Sequence, residues 1–150
     1  MKNTIVIYYS RTGASRIVAE AVAKKLGCRV AEVFYPRHEK VKYWEACKQA
    51  MFKRVCEIEC DADAQNLDSF ERVIFVFPIW AFTLCSPIRS FMLSHKAHIK
   101  NYELIATAGG SGLRGCVRAA TEILGTAPKH SVMLLDANIR AGKIDLPKWI

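Results

Sequence analysis

Thr4-Ile5-Val6-Ile7-Tyr8-Tyr9-Ser10-Arg11-Thr12-Gly13-Ala14-Ser15-Arg16 decides the fold class of this chain. Its apolar, β-branched run at 4–9 is continuous rather than alternating, the pattern of a strand buried on both faces. Hydroxyls and a glycine follow at once. A helical pattern then occupies 15–26, with Ile17, Val18, Ala21 and Val22 on one side and Glu20, Lys24 and Lys25 on the other. Strand, tight polar loop and helix in direct succession predict the opening of a βαβ unit.

Working outward, further runs of the same kind stand at 29–34, 73–77, 104–108 and 132–135, with helical patterns between them. Residues 40–55 repeat Val41, Trp44, Cys47, Met51 and Val55 at helical spacing, and 87–93 and 113–125 complete the set. Gly27 and Gly125 stand where helix C-caps belong. Strands alternating with helices predict a parallel sheet wound by right-handed crossovers, with helices on both faces. After the fifth run Gly142 and Pro147 interrupt the pattern, so a full closing helix is not expected. Either the tail 144–150 covers that part of the sheet irregularly or a second subunit does.

The 150 residues are 51% hydrophobic, enough for one domain with its own core and too many for a disordered chain. Residues 1–150 read as a single domain, without repeats or linkers. The six cysteines (28, 47, 56, 60, 85, 116) include no C-x-x-C pair, and the opening apolar run is too short for a secretory or membrane-spanning segment. The expectation is a soluble cytoplasmic protein with free thiols. Cys47, Cys56 and Cys60 lack zinc spacing, so no metal is expected, and Cys85 reads as a small buried hydrophobe. His95 and His98, beside Lys96 and Lys100, read as a solvated helix end, while His38 and His130 suggest no ligand cluster.

Charge is placed unevenly. Lys and Arg number 22 against 14 Asp and Glu, a net +8. Residues 36–54 carry six Lys or Arg and only two acids, Glu39 and Glu45, whereas 57–71 carry six acids, no Lys or Arg, and the look of a solvated loop. No RNA-binding aromatic signature, zinc finger or basic zipper accompanies the charge, so neither nucleic acid nor a membrane is expected as a partner.

In an open α/β sheet ligands bind outside the carboxyl ends of the strands, where the strand order reverses. Three such ends are unusual here. After the first strand, Ser10, Thr12 and Ser15 supply hydroxyls, Gly13 permits close backbone approach, and the helix start supplies N–H groups. That is a phosphate cradle, with Arg11 and Arg16 adding positive potential, although the same residues also suit plain helix capping. The loop has neither the G-x-G-x-x-G dinucleotide fingerprint nor the G-K-[ST] of a P-loop. A receiver domain would need acids near Tyr8-Tyr9-Ser10, and a Cys-x5-Arg phosphatase would need a thiolate where Ser10 stands. After the third strand, Pro78, Ile79, Trp80, Ala81 and Phe82 hold two large aromatics, which either stack on a flat ligand or pack in the core or against a second subunit. After the fourth, Thr107, Ala108, Gly109, Gly110, Ser111 and Gly112 form an N–H-rich loop able to approach a polar heterocycle, or an ordinary turn before a helix.

Taken together these loops resemble the flavodoxin family. Tyr9-Ser10-Arg11-Thr12-Gly13 matches its phosphate loop, Pro78-Ile79-Trp80 its aromatic loop, and residues 107–112 its Gly-rich third loop. The resemblance implies a flavodoxin-like three-layer α/β fold: a doubly wound five-stranded parallel sheet of order 2-1-3-4-5, its final helix short or missing. It also implies FMN at the switch point, flavodoxin being itself an instance of that rule. Ser10, Thr12, Ser15 and the N–H groups of 11–15 would then hold the phosphate. Trp80 and the backbone of 78–82 would meet the ring, and 107–112 its other edge. Ala14-Ser15 stands where the family commonly has Asn-Thr, which removes one side-chain contact.

The function this implies is electron transfer through bound FMN, with no catalytic side chain assigned because the cofactor carries the chemistry. Two alternatives stand beside it: an NAD(P)H-dependent quinone or FMN reductase, and a flavin-free interaction module, monomeric or homodimeric. General flavodoxin carriers are acidic, so the +8 charge predicts a redox partner protein with an acidic docking surface.

Overall fold

The five apolar runs become five parallel strands, continuous in hydrophobicity because successive side chains point to opposite faces and both faces are covered. The computed structural model describes residues 3–37 and 40–150; His38 and Glu39 lie outside the described residues. In chain order the elements are β1 (Thr4–Tyr8), α1 (Ala14–Leu26), β2 (Arg29–Phe34), α2 (Tyr43–Met51), β3 (Glu59–Cys60), α3 (Ala62–Gln65), β4 (Arg72–Trp80), β5 (Thr83–Leu84), α4 (Ser86–His95), β6 (Tyr102–Ala108), α5 (Leu113–Leu124), β7 (Ser131–Leu135) and α6 (Asp136–Arg140). Single 3-10 turns occupy Leu67–Ser69 and Lys96–His98. The parallel strands lie in the order β2-β1-β4-β6-β7, the expected 2-1-3-4-5. Two short antiparallel additions, β3 on β2 and β5 on β4, extend the expected five strands.

Side-chain alternation sorts the core into two layers. Ile5, Ile7, Phe75, Phe77 and Leu104 face α2, α4 and α5 through Ala46, Ala50, Ile88, Phe91, Cys116 and Ala120. Val6, Tyr8, Ile74, Val76 and Ile105 face α1 and α6 through Val18, Val22 and Ile139. Each fully buried large side chain contributes about 1.5–3 kcal/mol. α1 and α5 stop at Gly27 and Gly125, as expected.

The chain's own tail covers what a longer closing helix would. α6 is five residues long, and Ile144, Leu146, Trp149 and Ile150 pack on the α1 layer. A clasp holds the tail down. Arg72 donates from Nη2 to the Trp149 carbonyl at 2.9 Å and from Nε to Glu103 Oε2 at 2.6 Å. His130 Nδ1 lies 2.9 Å from the other oxygen of Glu103, and the Trp149 ring stacks on His130 with centroids 5.1 Å apart.

Several expectations are corrected. α2 is shorter than 40–55, because Lys53 adopts a left-handed conformation (φ 55) just after it. The acids of 57–71 are mostly exposed, as expected, but the stretch is not a bare loop: it forms β3 and α3, and Asp61 accepts the Glu32 N–H at 2.8 Å and donates its own N–H to the Glu32 carbonyl at 3.2 Å. It thereby covers the open edge of β2, while Ala64 and Leu67 go into the core. Pro78, Ile79 and Trp80 belong to β4 rather than to a loop. Of the helix end at 95–100, Lys96, His98 and Lys100 are exposed as expected, but His95 is half-buried, stacked on Phe91 with ring centroids 4.1 Å apart. All six cysteines are free thiols, and burial pushes Cys85 well up and Cys116 up to about 12.

Candidate cofactor site at the strand ends

β1, β4 and β6 lie side by side and finish at one edge of the sheet, with the order reversing between β1 and β4. Three loops therefore surround one crevice. In the first, the Gly13 N–H donates to Ser10 Oγ at 3.0 Å, which closes the loop, and Gly13 takes φ 102, open to glycine but strained for other residues. α1 then begins without a side-chain cap and without an acid in its first turn. Its leading N–H groups have no partner within the helix and carry the positive end of its dipole.

The two arginines expected to add positive potential part company. Arg16 turns to Glu32, with Nη2 2.8 Å from Oε1, and lies over the Tyr8 ring. Arg11 stays at the crevice: Nη2 donates to the Val41 carbonyl at 2.6 Å, and Nη1 is buried without a partner. Its guanidinium sits 6.0 Å from the Tyr43 ring centroid. Ser15 is buried, its hydroxyl 2.9 Å from that of Thr107, so the first loop is pinned to β6.

The two aromatics after the third parallel strand also separate. Trp80 is 0% exposed and meets Tyr9 edge-on, ring centroids 5.6 Å apart, with its indole N–H unpartnered. Phe82 is 68% exposed at the tip of the β4–β5 hairpin. Ala81 and Phe82 both take positive φ, 51 and 61, a tight turn that Asn-Gly would fill at lower cost. Behind the tip, a Cβ at Gly115 would lie 1.8 Å from the Phe82 carbonyl oxygen, so α5 and the hairpin touch only because that position is glycine. Gly109 and Gly110, by contrast, face open space.

A cavity of about 220 Å³ joins the three loops. Of the expected site residues, Arg11, Thr12, Ser15, Pro78, Ile79, Trp80, Thr107, Ala108 and Gly109 line it. Ser10, Gly13, Ala81, Phe82, Gly110, Ser111 and Gly112, in the surrounding loops, and Ala14, at the start of α1, do not form its walls. Tyr43, Asp136 and Arg140 line it as well and were missed. Asp136 and Arg140 had a signal, since they directly follow the fifth strand at the same edge. Tyr43 had none, because only the long-range seating of α2 brings it there. Partial desolvation at the cavity, then Cys47 and Asp136 nearby, push the Tyr43 phenol up to about 12, and burial raises Tyr9 well above its ordinary value. Both are neutral hydroxyls at physiological pH. Among the described residues no group of three His, Cys, Asp or Glu is placed to hold a metal, and no helix is long and apolar enough to cross a membrane.

Sheet order, crossovers and crevice define an open, doubly wound α/β protein with a cavity at the switch point. The chain belongs to the flavodoxin family, whose model matches residues 3–150. Among solved structures it is similar to a flavoprotein from Lactobacillus acidophilus NCFM in complex with FMN, at 17% identity and a TM-score of 0.78, covering 94% of this chain and 98% of that one. A candidate flavoprotein from Bacteroides uniformis is similar at 21% identity and a TM-score of 0.73, covering 95% and 96%. An archaeal flavodoxin is more distant, at 16% identity and a TM-score of 0.53, covering 95% and 92%. No curated protein sequence matches significantly.

Proposed function

We propose that this chain binds FMN in the strand-end cavity and passes electrons through it. One arrangement carries the reading: the uncapped N-terminus of α1 opens beside a cavity whose lining includes Arg11, Thr12 and Trp80, and Arg11 and Trp80 each keep a buried N–H without a partner. A phosphorylated group suits both the helix N-terminus and the Arg11 charge. Family membership and the FMN complex of the similar Lactobacillus protein support the same cofactor.

The phosphate would sit on the N–H groups of residues 11–15 with Arg11 beside it. Ser10 shapes that loop and Ser15 ties it to Thr107, so Thr12, exposed at the cavity, is the hydroxyl most directly presented. The ring would lie between residues 78–82 and 107–112, whose backbone groups meet its polar edges. Bound FMN supplies one- and two-electron chemistry, while the chain supplies position and shielding.

Purified protein is expected to carry flavin absorbance or to acquire it on adding FMN. It should bind FMN at least about tenfold more tightly than riboflavin, because the cradle reads the phosphate. Equal affinity for the two would remove the cradle from the reading. Binding of neither would leave a flavin-free module.

A further inference from the structure

A second concavity, an open groove of about 480 Å³, runs along α2 and the residues after it. Trp44, Glu45, Lys48, Gln49, Phe52 and Arg54 line it. α2 buries only small residues, Ala46 and Ala50, while its large apolar side chains Tyr43, Trp44 and Met51 are each more than half exposed. Trp44 is 58% and Phe52 62% exposed, and Val55 continues the patch. Scattered exposed apolar residues need no explanation, but a cluster of this size on one short segment marks an interaction site. Each groove ring also carries a cation: Lys48 Nζ lies 5.4 Å from the Trp44 centroid and Arg54 Cζ 5.9 Å from that of Phe52.

We propose that this groove is the docking surface for an acidic partner protein. The partner sets an apolar side chain between Trp44 and Phe52 and carboxylates against Lys48 and Arg54. The proposal rests on the redox reading for its purpose: Tyr43, adjacent to Trp44, lines the cofactor cavity, so a partner in the groove lies beside that site. Charge complementarity selects the occupant. The groove wall itself holds Lys48 and Arg54 against Glu45, within a segment, 36–54, of six Lys or Arg and two acids, and oppositely charged surfaces steer encounter and fix register. An anionic bilayer fits less well, since a membrane surface meets a protruding apolar face, whereas this surface is concave and holds Glu45 in its wall.

The test uses a fluorescently labelled synthetic peptide with a central phenylalanine flanked on both sides by glutamates, read by anisotropy at physiological salt. Full-length protein is measured with and without added FMN. The paired variants are Trp44→Ala with Phe52→Ala, and Lys48→Glu with Arg54→Glu. Lys24→Glu with Lys25→Glu, exposed at the far end of α1, makes the same charge change elsewhere. Each groove pair is expected to weaken binding about tenfold or more, and the α1 pair less than about twofold. The proposal fails if the α1 pair weakens binding equally, or if a lysine-flanked peptide binds as well. It fails too if phosphatidylserine vesicles bind the protein through the same residues while the peptide does not, or if the groove variants instead dissolve a homodimer seen by sedimentation. Anisotropy needs no flavin, so peptide binding without FMN binding overturns only the cofactor reading. FMN binding without peptide binding overturns only this one.

Discussion

Replacing Gly115 by alanine tests how two walls of the cavity are held in place. The new Cβ would lie 1.8 Å from the Phe82 carbonyl oxygen and 3.0 Å from its carbon. Real Cβ contacts essentially never fall under 3.0 Å, so the hairpin or the helix must retreat by at least 1.2 Å, the difference between 3.0 and 1.8. No flexible side chain can absorb this. The obstacle is backbone, braced on one side by α5 and on the other by the pairs Ile79↔Leu84 and Trp80↔Thr83. Alanine in place of a helical glycine returns up to about 1 kcal/mol. Overpacking against a braced backbone costs about 1–3 kcal/mol, and a clash this deep belongs at the upper end. The net expectation is a loss of about 1–2 kcal/mol in urea unfolding of the flavin-free protein. Retreat of the hairpin also moves Ile79 and Trp80 in the cavity wall, so FMN affinity, read by quenching of flavin fluorescence, should fall about tenfold. Gly109→Ala is the control: nothing lies within 4 Å of its Cβ, and stability should change by no more than about 0.5 kcal/mol. Wild-type stability together with unchanged FMN affinity in Gly115→Ala would refute the argument.

Glu103 is 3% exposed and binds both Arg72 and His130, so Glu103→Ala strands a largely buried guanidinium and loosens the tail clasp. Urea unfolding should show a loss of about 3 kcal/mol, and an effect under about 1 kcal/mol would argue against the clasp. Arg11→Gln should weaken FMN about tenfold while leaving riboflavin affinity within about twofold, because only the phosphate meets that charge; parallel titrations check it. Stability should decline in alkali. Burial raises Cys116 from 9.0, and Tyr102 from 10.0, each up to about 12, so the folded chain keeps protons that the unfolded chain releases. Their contribution is complete below the unfolded values and is lost as pH rises towards 12, each group adding up to about 1.4 kcal/mol per pH unit to the slope. Urea midpoints under reducing conditions should fall through this range, and less steeply in Cys116→Ala. A flat profile above pH 9 contradicts the burial of that thiol.

By itself the sequence determined the parallel strands, the helices between them and the cradle after β1. Those features are written in local periodicity: a strand covered on both faces has no polar position, as in Ile5-Val6-Ile7 or Ile74-Phe75-Val76, and Ser10 to Ser15 places hydroxyls and a glycine directly before a helix. Gly27 and Gly125 ended their helices for the same local reason. Only tertiary structure decided which of two neighbouring aromatics went inward. Trp80 is in register on β4 and packs on Tyr9, whereas Phe82 falls on a hairpin turn that lacks the Asn-Gly signature by which such turns are recognised. Likewise Asp61 resembled a loop acid until the open edge of β2 supplied it with a partner in Glu32. Tyr43 and Arg140, far apart in sequence, reach one cavity, and Trp149 secures a sheet face through residues as distant as Arg72. Such placements depend on which strands become neighbours, and no local period in a sequence records that.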